Sequence, residues 1–339
     1  MVAAVGIGVL CAGGARSGDL DPTNPPGPTM HTLEEIYQKL LALEQRLEVI
    51  ERQTATQVPT GMVLIPAGVF AMGATTNAGH ESYDDEKPQH TVHVSAFYLD
   101  RYEVTKAQWD DVYNWATKHG YQWYDNHGLG KAPDHPVHTV DWFDCVKWCN
   151  ARSEKEGLTP CYTLNGEVYR AGYPDPILCD WLANGYRLPT EAEWEKAARG
   201  GAAYRRFPWS DSCKIQHTRA NYYSEEWYAY DTSPTRGYHP DYDEGATPYT
   251  SPVGSFPANG YGLYDMAGNV WEWCWDWYSA EYYSTTPDTD PTGPATGSDR
   301  VLRGSSWHDR ALEARNAYRF RYDPFDDLDM FGFRCARRQ

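Results

Sequence analysis

The C-terminal stretch SSWHDRALEARNAYRFRYDPFDDLDMFGFRCAR, residues 305–337, holds the densest chemistry in the chain. Tyr318, Phe320 and Tyr322 alternate with Arg319 and Arg321, and Asp323, Asp326, Asp327 and Asp329 follow around Pro324, Phe325 and Leu328. In an extended segment successive side chains point to opposite faces, which puts the three rings on one face and the two arginines on the other. Arginines turned inward can fix the backbone by forked bonds to carboxylates. The rings then face outward. Tyr is a rigid, amphipathic contact residue that loses little entropy on binding, and neighbouring aspartates favour basic or hydrogen-bonding partners. The same alternation also marks an ordinary half-buried strand.

Cysteine is the other reactive type. The eight, Cys11, Cys145, Cys149, Cys161, Cys179, Cys213, Cys274 and Cys335, include no CxxC pair and no zinc-like Cys/His spacing. They read as buried thiols, with disulfides open to them if the protein is exported.

These groups must be positioned by a chain of 339 residues, enough for one large domain with appendages or for two domains. Its 14 Trp and 26 Tyr against 9 Phe, with 29 Gly and 23 Pro, suit a loop-rich α+β domain rather than a helical bundle. A net charge of −17 repels phosphate backbones and anionic membrane surfaces, and leaves carboxylates for a hard cation. No nucleic-acid partner and no membrane span is expected.

The N-terminal run VAAVGIGVLCAGGA is too short to span a bilayer and is similar to the back half of an export signal without its basic part. An exported or cell-surface location is expected, with a cytoplasmic one left open. Residues 1–31 are read as this run followed by a Pro/Gly linker. Residues 32–55 are read as a coiled-coil helix. Leu33, Ile36, Leu40, Leu43, Leu47 and Ile50 alternate spacings of three and four, and Thr32 with Glu35 makes a capping box. Leu at one seam position and mostly Ile at the other favours a homotrimer or tetramer through residues 32–53.

From residue 60 to 339 the texture is one of short strands and turns. GMVLIPAGVFAMGA (61–74) reads as strand–turn–strand, and residues 90–105 as a bent strand. Residues 140–157 carry a helical stripe ending at Gly157. In GYRLPTEAEWEKAARGG (185–201), Thr190 and Glu193 form a capping box and Gly200–Gly201 end the helix. In YGLYDMAGNVWEWCWDWY (261–278), Trp271, Trp273, Trp275 and Trp277 alternate with Glu272, Cys274 and Asp276, the pattern of a strand with a tryptophan face.

Six segments in order, GMVLIPAGVFAMG, VTKAQW, GYRLPTEAEWEKAARGG, NGYGLYDMAGNVWEW, RVLRGSSW and GFRCAR, resemble the formylglycine-generating enzyme (sulfatase-modifying factor) family over about residues 60–339. The resemblance implies a C-type lectin-like fold with much irregular structure and bound calcium. The family's enzymes oxidise a sulfatase cysteine with copper held by two cysteines. Here the matching positions after Gly304–Ser305–Ser306 are Asp309 and Ala314, which supply no thiolate for Cu(I), and no copper is expected. Matching calcium positions are Asp265, Gly268, Val270 and Glu272. Asn221 and Tyr222 make a weaker second set, with Asp243 a loose addition.

The segment 300–337 also resembles the variable region of proteins diversified by retroelements, in which template adenines are randomised. Arg300 to Trp307, Arg315, Ala317, Arg319, Arg321, Pro324 and Gly332 to Arg334 would be framework. His308, Asp309, Arg310, Tyr318, Phe320, Tyr322, Asp323, Phe325, Asp327 and Asp329 would be the changeable ligand-binding positions. Each is reachable from an asparagine codon by adenine change alone; Glu313 and Met330 are not. The expectation is a non-enzymatic protein that displays a hypervariable surface to a protein or other macromolecular ligand, with the coiled coil multiplying weak sites. The alternative is an oxidoreductase of the formylglycine-generating class with displaced catalytic residues.

Overall fold

The computed structural model describes residues 34, 37–43, 58–74, 81–124, 128–174 and 176–339. The chain divides into two units, residues 1–56 and 57–339. In the first, residues 34 and 37–43 are helical, and Leu40 and Leu43, two of the heptad positions, are 55% and 58% exposed. The rest of the heptad stretch, the linker and the N-terminal run lie outside the described residues.

The second unit contains thirteen strands and three α-helices among its described residues. The strands are β1 (Met62–Ile65), β2 (Gly68–Met72), β3 (His90–Val94), β4 (Phe97–Asp100), β5 (Tyr162–Leu164), β6 (Glu167–Val168), β7 (Leu178–Cys179), β8 (Tyr186–Arg187), β9 (Trp271–Trp277), β10 (Arg300–Arg303), β11 (Phe320–Tyr322), β12 (Phe331–Gly332) and β13 (Ala336–Arg338). The helices are α1 (Lys106–Ala116), α2 (Trp142–Lys155) and α3 (Glu191–Ala198). Two four-stranded sheets, β1-β4-β13-β8 and β11-β10-β9-β12, carry most of the order.

Local signals explain the helices. Thr105 and Gln108 close a reciprocal cap on α1, Thr190 and Glu193 do the same on α3, and the Asp141 side chain accepts the Asp144 N–H at the start of α2. A large core joins Trp109, Trp142 and Trp148 of the helices to Trp271 and Trp273 of β9 and to Phe331 and Phe333. The buried indoles find backbone partners: Trp142 Nε1 donates to the Cys274 carbonyl at 2.9 Å and Trp273 Nε1 to that of Val140 at 3.0 Å.

β9 is the expected strand with tryptophans at alternate positions, and the residues between them are buried as well. It runs between β10 and β12, and Glu272, Cys274 and Asp276 are buried as deeply as Trp271 and Trp273. The polar side chains are there for internal partners: Glu272 for Arg334, and Asp276 for the backbone N–H of Glu191 at 2.8 Å. Both faces of the strand are covered, and alternation alone cannot distinguish that from one-sided burial.

The seven described cysteines are unbridged. Cys149 and Cys335 bring their sulfurs within 3.6 Å, and burial pushes the Cys149 thiol well up, with that neighbour adding to the shift. No described helix is long and apolar enough to cross a membrane.

Candidate ligand-binding face

The face begins with β11, the edge strand of its sheet. Antiparallel pairing with β10 sets Leu302 opposite Phe320 and Arg300 opposite Tyr322. Tyr318, Phe320 and Tyr322 are half-buried, not fully outward as the alternation implies. Phe320 stacks on Trp271 with ring centroids 4.8 Å apart, Tyr318 lies 5.9 Å from the same indole, and Tyr322 meets Phe331 edge-on at 5.1 Å. Each ring therefore gives one side to the core and keeps the other for solvent.

The arginines do not share one role. Arg319 is buried and grips Glu191 with Nε–Oε1 at 2.7 Å and Nη2–Oε2 at 2.8 Å. Arg321 is exposed, lies over Tyr278 and reaches Asp299 at 3.4 Å. The frame is completed from positions that the alternation does not flag. Arg315 forks onto Glu86 at 2.6 and 2.8 Å, and Arg303 bonds Glu195 at 2.7 Å and the carbonyls of Asn316 and Tyr318 at 2.6 and 2.7 Å. Arg334 forks onto Glu272 with both bonds at 2.6 Å. Backbone bonds from Thr139 to Leu328 and from Trp142 to Pro324 moor the acidic loop to the start of α2.

Within that frame the expected contact positions separate. His308, Arg310, Asp323 and Phe325 are exposed, and Asp327 and Asp329 half-buried. Phe325, 55% exposed, leans on Phe143 at 5.0 Å. Asp309 is not an outward contact. Its Oδ2 accepts from the Trp271 indole at 2.7 Å and from the Ser306 hydroxyl, and burial raises its carboxyl above the usual range. It forms part of the floor of a cleft of about 310 Å³, lined by Tyr223, Glu225, Tyr238, His308, Arg310 and Glu313. Arg310 bridges to Glu225 at 2.9 Å. Burial pushes the Glu313 carboxyl up to about 7, with repulsion from Asp309 adding to it.

Tyr223, Glu225 and Tyr238 are invisible to sequence reasoning as site residues. They come from an aperiodic stretch and reach the cleft because the Tyr223 N–H donates to the Asp309 carbonyl at 2.8 Å. Residue spacing carries no signal for such a contact.

This site sits in a chain whose residues 47–339 match the sulfatase-modifying factor enzyme 1-like domain. The chain belongs to that family. It is similar to the formylglycine-generating enzyme of Thermomonospora curvata, at 35% identity over 305 residues, spanning 85% of this chain and 96% of that protein. The Bos taurus enzyme is also 35% identical, over 82% of this chain and 75% of its own length. Among solved structures, Treponema denticola variable protein 1 superposes with a TM-score of 0.61 at 30% identity, covering 82% of this chain and 95% of that one. The fold is thus the C-type lectin-like fold of the formylglycine-generating type, rich in irregular structure.

At the two positions that the sequence resemblance matches to the catalytic cysteines stand Asp309, bonded as described, and Ala314, 1% exposed. The positions expected to hold calcium are placed as follows. Asp265 has φ of +57° and Oδ2 accepting from the Gly254 N–H at 2.6 Å, while its Oδ1 is buried without a partner. Gly268, at φ +80°, packs so closely on Asn221 that a Cβ would meet that carbonyl at 2.1 Å. Val270 donates its N–H to Glu103 at 3.2 Å. Glu272 is not a free ligand. Both its oxygens are held by Arg334, and one also accepts from the Trp194 indole at 2.7 Å. Glu103, Asp265 and Glu272 nonetheless share the single guanidinium of Arg334, and burial pushes Asp265 up to about 6 and Glu103 well up. An orphaned oxygen and a surplus of buried carboxylate fit a divalent cation in charge.

The second calcium set fits less well. The Asn221 side chain donates to the Tyr249 carbonyl and its own carbonyl accepts from Asn269, the Tyr222 carbonyl faces His217 Nε2 at 3.1 Å, and Asp243 is exposed. Among the described residues no group of three or more His, Cys, Asp or Glu side chains converges as a metal cage.

Proposed function

We propose that this chain is a non-enzymatic binding protein that uses a formylglycine-generating scaffold to display a diversified face to a macromolecular ligand. One observation carries the reading. The two positions that hold the catalytic thiols in the enzymes hold a carboxylate locked to Trp271 and Ser306 and a buried alanine. The only described cysteine in the segment 300–337, Cys335, is fully buried against Cys149. Likeness to a variable protein over most of the chain supports the reading further. The exposed His308, Arg310, Asp323 and Phe325 and the half-buried Tyr318, Phe320, Tyr322, Asp327 and Asp329 make the changeable surface. Glu225, Glu313, Tyr223 and Tyr238 make a fixed wall beside it.

The test has two arms. The gene should lie beside a reverse transcriptase and a near-identical repeat of its 3′ end, with differences confined to template adenines. The purified protein, given copper, oxygen and a cysteine peptide of sulfatase type, should release no aldehyde product detectable by mass spectrometry. Turnover of that peptide returns the chain to the oxidoreductase class, for which its 35% identity to the enzymes speaks.

Calcium belongs to this reading as a structural ion held by Asp265 and nearby carbonyls, with Arg334 offsetting part of the carboxylate charge. Chelation with EGTA is expected to lower Tm by several degrees, about what a loss of 1–2 kcal/mol does in a large domain. Asp265→Ala should abolish that response; an equal EGTA shift in the variant removes Asp265 from the site.

A further inference from the structure

Apart from the display face, a small hollow opens beside Arg315, lined by Arg199, Arg205, Arg206, Arg315, Glu81 and Gly73 among others. Four arginines around one space are unusual in a chain of formal charge −17. Two of them are fully committed. Arg199 bonds Glu195 at 2.6 Å and the Gly73 carbonyl at 2.9 Å, and Arg315 bonds Glu86 and the Glu81 carbonyl at 2.9 Å.

The other two are not. Arg205 donates to the Cys213 sulfur at 3.7 Å and attracts the Asp211 carboxylate without bonding it. Arg206 lies flat over the Tyr230 ring, 3.9 Å from its centroid, and its Nε is buried with no hydrogen-bond partner. Among the described residues neither has a carboxylate within ion-pair distance. Most nearby carboxylates are spent: Glu86 pairs with Arg315, and Glu195 is shared between Arg199 and Arg303, while Glu81, which accepts from Tyr230, keeps its charge and attracts Arg206. Two guanidiniums against the one carboxylate of Glu81 still leave a net positive charge in the lining. Burial lowers the Arg206 pKa and Arg315 adds repulsion, against the attraction of Tyr230 and Glu81.

An unpaired, half-buried guanidinium held by ring stacking is preorganised to receive an oxyanion through its fork. Size narrows the ligand. The enclosed space is about 20 Å³, room for one water-sized atom. We propose that this hollow binds the terminal oxyanion of an acidic ligand: one oxygen enters against Arg206, the remaining oxygens lie at the mouth beside Arg205, and the body of the ligand stays outside. A phosphate monoester suits it best, since its several oxygens can engage both guanidiniums at once; a carboxylate offers the same oxygen chemistry with fewer acceptors and half the charge. The assignment does not depend on whether the neighbouring face is diversified.

Isothermal titration of the full chain with inorganic phosphate, methyl phosphate and acetate, at low ionic strength, tests it. Phosphate and methyl phosphate should bind alike, acetate more weakly, and added chloride should weaken all three. Acetate binding as tightly as phosphate would support the site and assign it to carboxylates. Arg206→Gln should weaken phosphate at least about tenfold, the scale of one charge-assisted bond. If that variant does not fold, Arg205→Gln carries the same expectation, since Arg205 has little to lose but its sulfur contact. Arg170→Gln is the control: Arg170 already pairs with Glu154, far along the chain from the hollow's lining, and should leave phosphate binding unchanged. Absence of phosphate binding to the unaltered protein, or unchanged binding in the folded Arg206 or Arg205 variant, would overturn the proposal.

Discussion

His138 shows how far burial reaches at single side chains. It is 4% exposed, and desolvation, with repulsion from His135 and Lys106, pushes its imidazole down to about 4. An unfolded histidine titrates near 6.5. Between those values the unfolded chain binds more protons than the folded one. The stability contributed by neutral His138 is therefore complete above pH 6.5 and is lost as pH falls towards 4. His138→Gln is expected to flatten that part of the stability–pH curve, read by urea unfolding at several pH values. An unchanged slope would mean that His138 is not the group responsible. The Glu313 carboxyl leans the opposite way, staying protonated in the fold up to about 7. No spacing in the sequence marks either group, because desolvation is produced by residues distant in the chain.

At the scale of elements, β11 depends on α3. Glu191, the first residue of α3, receives both nitrogens of Arg319 and one from Arg303. Arg319→Ala would leave the Glu191 carboxylate buried with part of its counter-charge gone, and is expected to cost about 3–5 kcal/mol. Equilibrium unfolding in urea measures this directly; a loss below about 1 kcal/mol would show that the pair does not hold the strand. The start of α3 was legible in advance, because Thr190 and Glu193 sit within one turn of each other and close the cap locally. The partnership of Glu191 with Arg319 was not, since it closes across 128 residues. The same limit explains what alternation leaves open. In β9 it does not say that the acidic side chains are internal, and in β11 it puts both arginines inward where only Arg319 is.

For the whole molecule, the family segments were readable because six short motifs recur in order, while the cleft wall from Tyr223 to Tyr238 was not, because it has no period of its own. Residues 57–339 form a compact unit with their own core, and the heptad stretch lies in the other. We propose that the heptad stretch assembles the chain as a trimer or tetramer; deletion of residues 1–56 is then expected to leave Tm unchanged and to give a monomer, as read by light scattering on a sizing column. Retention of the oligomer after deletion would place the contact on the folded unit instead.

The arginine frame divides this chain's information in two. What Arg303, Arg315, Arg319 and Arg334 specify is where the backbone runs, and they do so through glutamates that lie outside the segment. Under the binding function proposed above, what the intervening side chains specify is whom the surface meets, and a change among them yields one altered binder. A change at Arg319 would silence every variant the same gene could ever write there, whatever its neighbours happened to spell.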